Sequence, residues 1–287
     1  MSADDAVPVP EPVPKVAPAQ GDAAQGDAAQ GDAKPAPPHK ARDRGARKLP
    51  AKPVAPTRPA RIFYELARRL LFGISRALWR FTVEGTELVP DRGGFIVAPV
   101  HRSNIDTILM SGVTKRRLCF LAKAGLWKFR AFGWLVSSLG GFPVRRGAAD
   151  REALRVSVEV LEQGQPLVVF PEGGRRSGPE VAELFEGAAY LSLRTGVPIV
   201  PVGIGGSEGA LPVGARLPSR VKVHMVIGAP LFPPGSAPGA GAARPARVRR
   251  HEIDALSQRL HDQLQVLFDQ ALEVSGVESR QRPGWRK

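Results

Sequence analysis

His101 and Asp106, five residues apart in VHRSNIDT, are a pair with the makings of acid–base chemistry. Histidine titrates near neutrality, and a carboxylate within reach can fix its tautomer. The pair follows an apolar run, Phe95–Val100, which reads as a buried strand; the polar residues after it read as a turn into a helix. In open α/β sheets chemistry collects at the carboxyl ends of strands, where this histidine falls. The same residues have a structural reading. Ser103 and Asp106 have capping-box spacing, in which the acid supports the start of a helix. Taken alone, the pair favours capping over catalysis.

Three further stretches reverse that order. In GGFPVRR, Gly140 to Arg146, glycines precede a strand that ends on two arginines. In FPEGGRRSG, Phe170 to Gly178, an apolar strand runs into Glu172, Gly173, Gly174, Arg175 and Arg176. Glycines let backbone approach a ligand closely, and arginines offer a forked set of donors to phosphate. The third, VPIVPV from Val197 to Val202, is apolar with two prolines; proline cannot donate to a sheet ladder, so an edge or irregular strand is expected. Each has a plain alternative: arginine pairs are usually solvated, Glu172 could cap or pair, and VPIVPV could be packing. Their shared placement after strand ends outweighs this. In a parallel sheet His101, Arg146 and Glu172–Arg175 converge on one face, as a general base beside a phosphate-binding set would.

The elements that must carry these residues alternate. Strands are expected at Phe81–Glu84, Phe95–Val100, Leu118–Ala122, Phe142–Arg145, Leu167–Phe170, Ile199–Val202 and Val221–Ile227. Helices are expected at Asn104–Val113, Trp127–Ser138, Asp150–Gln163, Val181–Thr195 and Val248–Glu273. The alternation predicts an α/β fold: a single domain over 59–275 with a largely parallel sheet flanked by helices. Pro233–Ala246 reads as a loop, and 276–287 as a C-terminal tail.

Before the first strand, residues 61–80 predict an amphipathic helix. At about 100° per residue, Arg61, Glu65, Arg68, Arg69, Arg76 and Arg80 fall within an arc of about 120°, with Phe72 and Trp79 among them. Phe63, Leu66, Leu70, Leu71, Ile74 and Leu78 cover the opposite side. Arginines mixed with aromatics suit a membrane headgroup layer; the alternative is a helix packed on the domain with its arginines in water. Residues 1–58 are rich in Pro, Ala, Gln and Asp and repeat QGDA, a composition that predicts a disordered tail. Residues 1–38 hold two lysines against six acids, a net of −4; residues 39–60 hold seven Lys/Arg against Asp43, a net of +6.

The whole chain carries a net charge of +14 over 287 residues, which points to an anionic partner. One cysteine, Cys119, allows no intrachain disulfide, and a reduced, cytosol-facing setting is expected. The N-terminus lacks the marks of a signal peptide, and no uninterrupted apolar run approaches the ~20 residues that span a bilayer. The histidines at 39, 101, 224, 251 and 261 are scattered, so no metal site is expected.

The four blocks together resemble the glycerolipid acyltransferase family. Its H-x-x-x-x-D matches His101 and Asp106; its G-x-x-x-x-x-R matches Gly140 to Arg146. Its F-P-E-G-x-R matches Phe170, Pro171, Glu172, Gly173 and Arg175, and its apolar fourth block matches Val197 to Val202. The chain departs from the family at Val100, where Asn is frequent, at Arg145, where an acid is frequent, and at Gly174-Arg175-Arg176-Ser177 in place of Thr-Arg-Ser. The resemblance implies acyl transfer from acyl-CoA or acyl carrier protein to the free hydroxyl of a lysophospholipid, 1-acyl-glycerol-3-phosphate first, giving phosphatidic acid. Glycerol-3-phosphate or another lysolipid is the alternative acceptor. It further implies His101 as base, Asp106 as its orienting partner, and Arg146 and Arg175 on the acceptor phosphate. Glu172 and Gly173 would shape the site, with no covalent intermediate and no cofactor beyond the acyl thioester. A lipid acceptor implies a peripheral protein on an anionic membrane surface, at the cytoplasmic face. The competing class is a basic membrane- or nucleic-acid-binding protein without chemistry. The folded region has no nucleic-acid motif, so no nucleic-acid partner is expected.

Overall fold

The computed structural model of the chain describes residues 58–144, 149–212, 215, 217–236 and 247–277. Residues 1–57 of the expected tail, Arg145 and Arg146, residues 237–246 of the expected loop and residues 278–287 lie outside the described residues.

Seven strands among the described residues form one sheet. They are β1 (Thr82–Glu84), β2 (Ile96–Pro99), β3 (Cys119–Lys123), β4 (Gly141–Val144), β5 (Leu167–Val168), β6 (Ile199–Gly205) and β7 (His224–Ile227). Their order is β1-β7-β6-β2-β5-β3-β4. All neighbours run parallel except β6 and β7. The helices are α1 (Arg58–Trp79), α2 (Asp106–Leu109), α3 (Arg130–Ser138), α4 (Ala149–Glu162), α5 (Gly187–Thr195), α6 (Ser207–Ala210) and α7 (Arg250–Ser275). Helices α4, α5 and α7 pack in a row, while α1 packs on α2 and α3. Strands β2 and β6 are buried along their whole length, so both faces of the sheet centre are apolar, as a covered parallel sheet requires. The expected α/β fold is observed.

Three local expectations are met only in part, for identifiable reasons. The proline-containing strand β6 is central, between β2 and β7, and not an edge. The Pro201 carbonyl accepts the Gly228 N–H (2.9 Å), so its missing donor faces the β7 side, between the Ile199–Leu231 bridge and the Val202–Ile227 pair. The ladder is interrupted there, and proline leaves no donor that needs a partner. Helix α5 begins only at Gly187, because the main chain before it bonds elsewhere. The Pro179 carbonyl and Val181 N–H bond to Gln265 of α7, and the Ala182 N–H donates to Glu172.

Helix α1 is turned partway from the expected orientation: Arg61, Arg69, Arg76 and Arg80 are exposed as expected, but Arg68 and part of the apolar side exchange places. Tyr64, Ser75 and Trp79 are buried against the domain. The Tyr64 hydroxyl donates to the Arg116 carbonyl (3.3 Å) and accepts the Leu118 N–H (3.1 Å). Arg68 turns inward too, donating to the Ser111 carbonyl (3.2 Å) and pairing with Glu65. Part of the expected arginine arc therefore packs, and the apolar row Ile62, Leu66, Leu70 and Ile74 is exposed, with Leu66 at 59%. Tyr64, an aromatic with a polar handle, satisfies both the apolar groove and its main-chain groups, which the aliphatic row cannot.

The C-terminal helix α7 lies directly on β6. A Cβ at Gly203 would sit 2.3 Å from the Leu267 carbonyl, and one at Gly205 2.1 Å from the Ala271 oxygen. No helix among the described residues is long and apolar enough to cross a membrane.

Candidate active site

Adjacent strands β2 and β5 end side by side, and their carboxyl ends deliver the two motifs that matter. His101 follows β2, and Phe170–Gly173 follow β5. The imidazole of His101 is 17% exposed. Its Nδ1 lies 3.0 Å from Asp106 Oδ2, and its ring stacks on Phe170 with centroids 4.1 Å apart. Against an ionised carboxylate, Nδ1 is the protonated nitrogen, which leaves the lone pair on Nε2. Nε2 makes no hydrogen bond among the described residues. The site thus presents a free base nitrogen on an imidazole whose other side is fixed.

Asp106 is fully buried. Its Oδ2 also accepts the main-chain N–H groups of Arg102 and Ser103, both at 2.7 Å, while Oδ1 has no partner among the described residues. The capping reading is partly met. The carboxylate bonds the Ser103 N–H, which is half of a capping box. The Ser103 hydroxyl donates to the Leu211 carbonyl (2.8 Å) and not to the helix.

Glu172 sits beneath the site, fully buried, with both oxygens bonded to protein groups. Oε2 accepts the His101 N–H at 2.9 Å, and Oε1 the Ala182 N–H at 3.0 Å. It shapes the site from below and holds the histidine's main chain. Its ion-pair partner is Arg102, at 2.7 Å. Sequence reasoning passes over Arg102, since an arginine in a polar turn is ordinarily solvated. The available signal was that Arg102 adjoins the histidine while a strand-end glutamate needs a cation.

Gly173 adopts φ +69°, and a Cβ there would meet the Phe185 ring at 2.3 Å. Both facts require glycine at this position, because an L side chain would be strained and would displace the ring. Arg175 is exposed and unpaired among the described residues. The next residue ties this loop to the turn after β2, the Arg176 N–H donating to the His101 carbonyl at 2.8 Å. Arg146 lies outside the described residues. The strand before it, β4, is an edge strand three places from β2. That corresponds to about 14 Å across the sheet at ordinary strand spacing. The structure therefore brings His101, Asp106, Glu172, Gly173 and the Arg175 loop together. Cys119 is buried within β3, and burial pushes its thiol pKa up, away from the reactive thiolate. Among the described residues no three His, Cys, Asp or Glu side chains group as metal ligands.

Residues 80–205 match the Acyltransferase family model. The 1-acyl-sn-glycerol-3-phosphate acyltransferase of Streptococcus pneumoniae is 31% identical over 180 residues, covering 60% of this chain and 63% of that protein. The chloroplastic enzyme BAT2 of Brassica napus, with the same activity in its name, is 25% identical over 179 residues, covering 60% of this chain and 51% of its own. The chain thus spans between half and two thirds of the length of these relatives. The crystal structure of the 1-acyl-sn-glycerophosphate acyltransferase PlsC from Thermotoga maritima superposes with a TM-score of 0.56 at 27% identity, covering 80% of each chain. The four motifs and the strand ends that carry them all fall within residues 80–205, the stretch that matches the Acyltransferase family model.

Proposed function

We propose that this protein transfers an acyl group from acyl-CoA or acyl carrier protein to the free hydroxyl of 1-acyl-glycerol-3-phosphate, forming phosphatidic acid. The observation that carries the reading is the Asp106-bound imidazole of His101 with Nε2 free at the carboxyl end of β2. Nε2 takes the proton of the acceptor hydroxyl as its oxygen attacks the thioester carbonyl. Asp106 holds the tautomer and stabilises the imidazolium, as the aspartate of a serine-hydrolase triad does. The C–S bond then breaks, and the thiolate leaves with the proton held by the imidazolium. No protein nucleophile takes part. The acceptor follows from the names of the relatives and from the arginines near the site. The direct test is an assay of the purified full chain with acyl-CoA and acyl carrier protein donors. Its acceptor panel is 1-acyl-glycerol-3-phosphate, glycerol-3-phosphate and other lysolipids. Phosphatidic acid is the expected product; use of glycerol-3-phosphate alone would reassign the acceptor, and no transfer to any acceptor would overturn the reading.

Arg175 and Arg146 are assigned to the acceptor phosphate. Each can donate bidentately, and loss of one charge-assisted contact costs about 1.5–3 kcal/mol. Arg175→Ala should raise the acceptor KM roughly 10- to 100-fold with little change in the donor KM. Lysine should restore only part, because it supplies charge without the fork. A defect confined to the donor KM would move Arg175 to the acyl-CoA phosphates.

The exposed row of α1 supports peripheral binding to an anionic membrane, at the cytoplasmic face. Ile62, Leu66 and Leu70 point outward with Arg69 and Arg76 exposed beside them. Trp134 of α3, ring-packed on Phe63, and Phe132 extend the apolar surface. An apolar centre with arginines at its border suits the interface between headgroups and acyl chains. Leu66→Asp/Leu70→Asp should reduce binding to anionic vesicles at least tenfold while sparing turnover of a short-chain, water-soluble acceptor. Salt should weaken wild-type binding through the arginines. Unchanged vesicle binding by the double variant would exclude this face.

A further inference from the structure

We propose that Arg102 is a positioning residue for the His101–Asp106 pair; this rests on the acyl-transfer reading above. Arg102 is 1% exposed and is among the largest fully buried side chains. Its Nη1 donates to both oxygens of Glu172, at 2.9 and 2.7 Å, and to the His101 carbonyl at 3.2 Å. Its Nε donates to the Gly178 carbonyl at 3.1 Å and Nη2 to the Glu180 carbonyl at 2.9 Å. The guanidinium carbon lies 4.7 Å above the Phe268 ring of α7.

Two carboxylates hold the histidine, and residue 102 holds both. Glu172 Oε2 accepts the His101 main-chain N–H and the Arg102 guanidinium. Asp106 Oδ2 accepts the His101 ring and the Arg102 main-chain N–H. Movement of Arg102 therefore shifts the anchor of the imidazole and the anchor of its peptide together. Stability alone is a poor explanation, because a buried ion pair often contributes no more than an apolar pair of the same volume. A planar fork with donors on three edges fits the five acceptors; a lysine ammonium cannot reach them at once.

The clamp reaches beyond the family-matched residues. Phe268 of α7 lies on one face of the guanidinium. Gln265 bonds Pro179 and Val181, and His261 Nε2 lies 3.1 Å from the Val181 carbonyl. These contacts fix the segment whose carbonyls receive Arg102. Helix α7 thus sets the place of Arg102, and Arg102 sets that of the catalytic pair.

The test compares full-length wild type with Arg102→Lys, Arg102→Met/Glu172→Met and Phe268→Leu. Thermal unfolding, steady-state kinetics and ¹⁵N NMR of the histidine side chains are measured on each. The two Arg102 variants should fold and lose about 10- to 100-fold in kcat, the scale of a small misplacement at a reacting centre, with both KM values within about threefold of wild type. The His101 nitrogens should move from one Nδ1–H tautomer towards a mixture. Phe268→Leu keeps every hydrogen-bond partner and should lose a few-fold in kcat alone. Wild-type kcat and a wild-type His101 spectrum in either folded Arg102 variant would overturn the proposal. So would unfolding of both Arg102 variants accompanied by an unaltered kcat and spectrum in Phe268→Leu. The tautomer is read without turnover. A wild type that transfers no acyl group would overturn the function, while the spectra still decide the role of Arg102.

Discussion

Replacing His101 by alanine should reduce acyl transfer by about 10³-fold or more while the protein stays folded. The magnitude lies within what a positioned general base contributes. Folding should survive because the buried Asp106 keeps two main-chain partners, the N–H groups of Arg102 and Ser103. Asp106→Asn is the more revealing change. The amide oxygen can occupy the Oδ2 position and accept the same three hydrogen bonds. The amide nitrogen then takes the Oδ1 position, which has no partner among the described residues. The geometry is retained and only the charge is lost, so kcat should fall about 10²-fold with both KM values unchanged, because the imidazolium formed during attack is less stabilised. Cys119→Ala serves as the control: a buried thiol with a raised pKa takes no part, and activity should be retained. Near-normal turnover in folded His101→Ala would sink the mechanism, and loss of turnover in folded Cys119→Ala would reopen a covalent route.

The second large effect lies 100 residues further on. Gly203→Ala and Gly205→Ala each place a methyl group against main-chain atoms of α7, at 2.3 Å and 2.1 Å. Main chain cannot change rotamer, so the helix must lift from β6, and its buried Leu264, Phe268 and Ala271 lift with it. Each substitution should cost about 3 kcal/mol, the upper end of ordinary overpacking. For a domain of this size that corresponds to roughly 6–12 °C in Tm. Thermal unfolding checks it, and an unchanged Tm in both variants would mean that α7 is not seated as described. The two sites share a helix, so the double variant should not show a simple sum.

Much of this arrangement is legible in the sequence. The run Phe95–Val100 ends on His101, so the strand and the residue it presents are announced together. The same holds for Leu167–Phe170 and Glu172. Three features are not legible, each because local pattern lacks the deciding partner. Periodicity shows that α1 has two faces but not which one the domain takes; Tyr64 decides it by meeting main-chain groups of residues 116 and 118. Two prolines suggest an edge or an irregular strand, and pattern alone does not choose between them; β6 is central, with Pro201 where the neighbouring ladder is interrupted. Arg102 reads as a surface charge, since its counter-ion is 70 residues away and its aromatic neighbour is on the last described helix.

The order of the sheet also bears on how the chain is made. Strand β1 leaves the ribosome well before its only strand partner among the described residues, β7, with Thr82 and His224 separated by 142 positions. Closing contacts over such distances is slow, because the loop entropy is lost before the pairing is gained. His101 and Asp106 are synthesised long before β7, whereas α7, which packs on β6 and carries Phe268 against Arg102, follows it. A nascent chain halted before α7 carries both side chains without the helix whose Gln265 and Phe268 contact their surroundings. Under the proposed mechanism catalytic competence is acquired only once α7 is made, and truncation before residue 250 should leave a chain with the motifs and without activity.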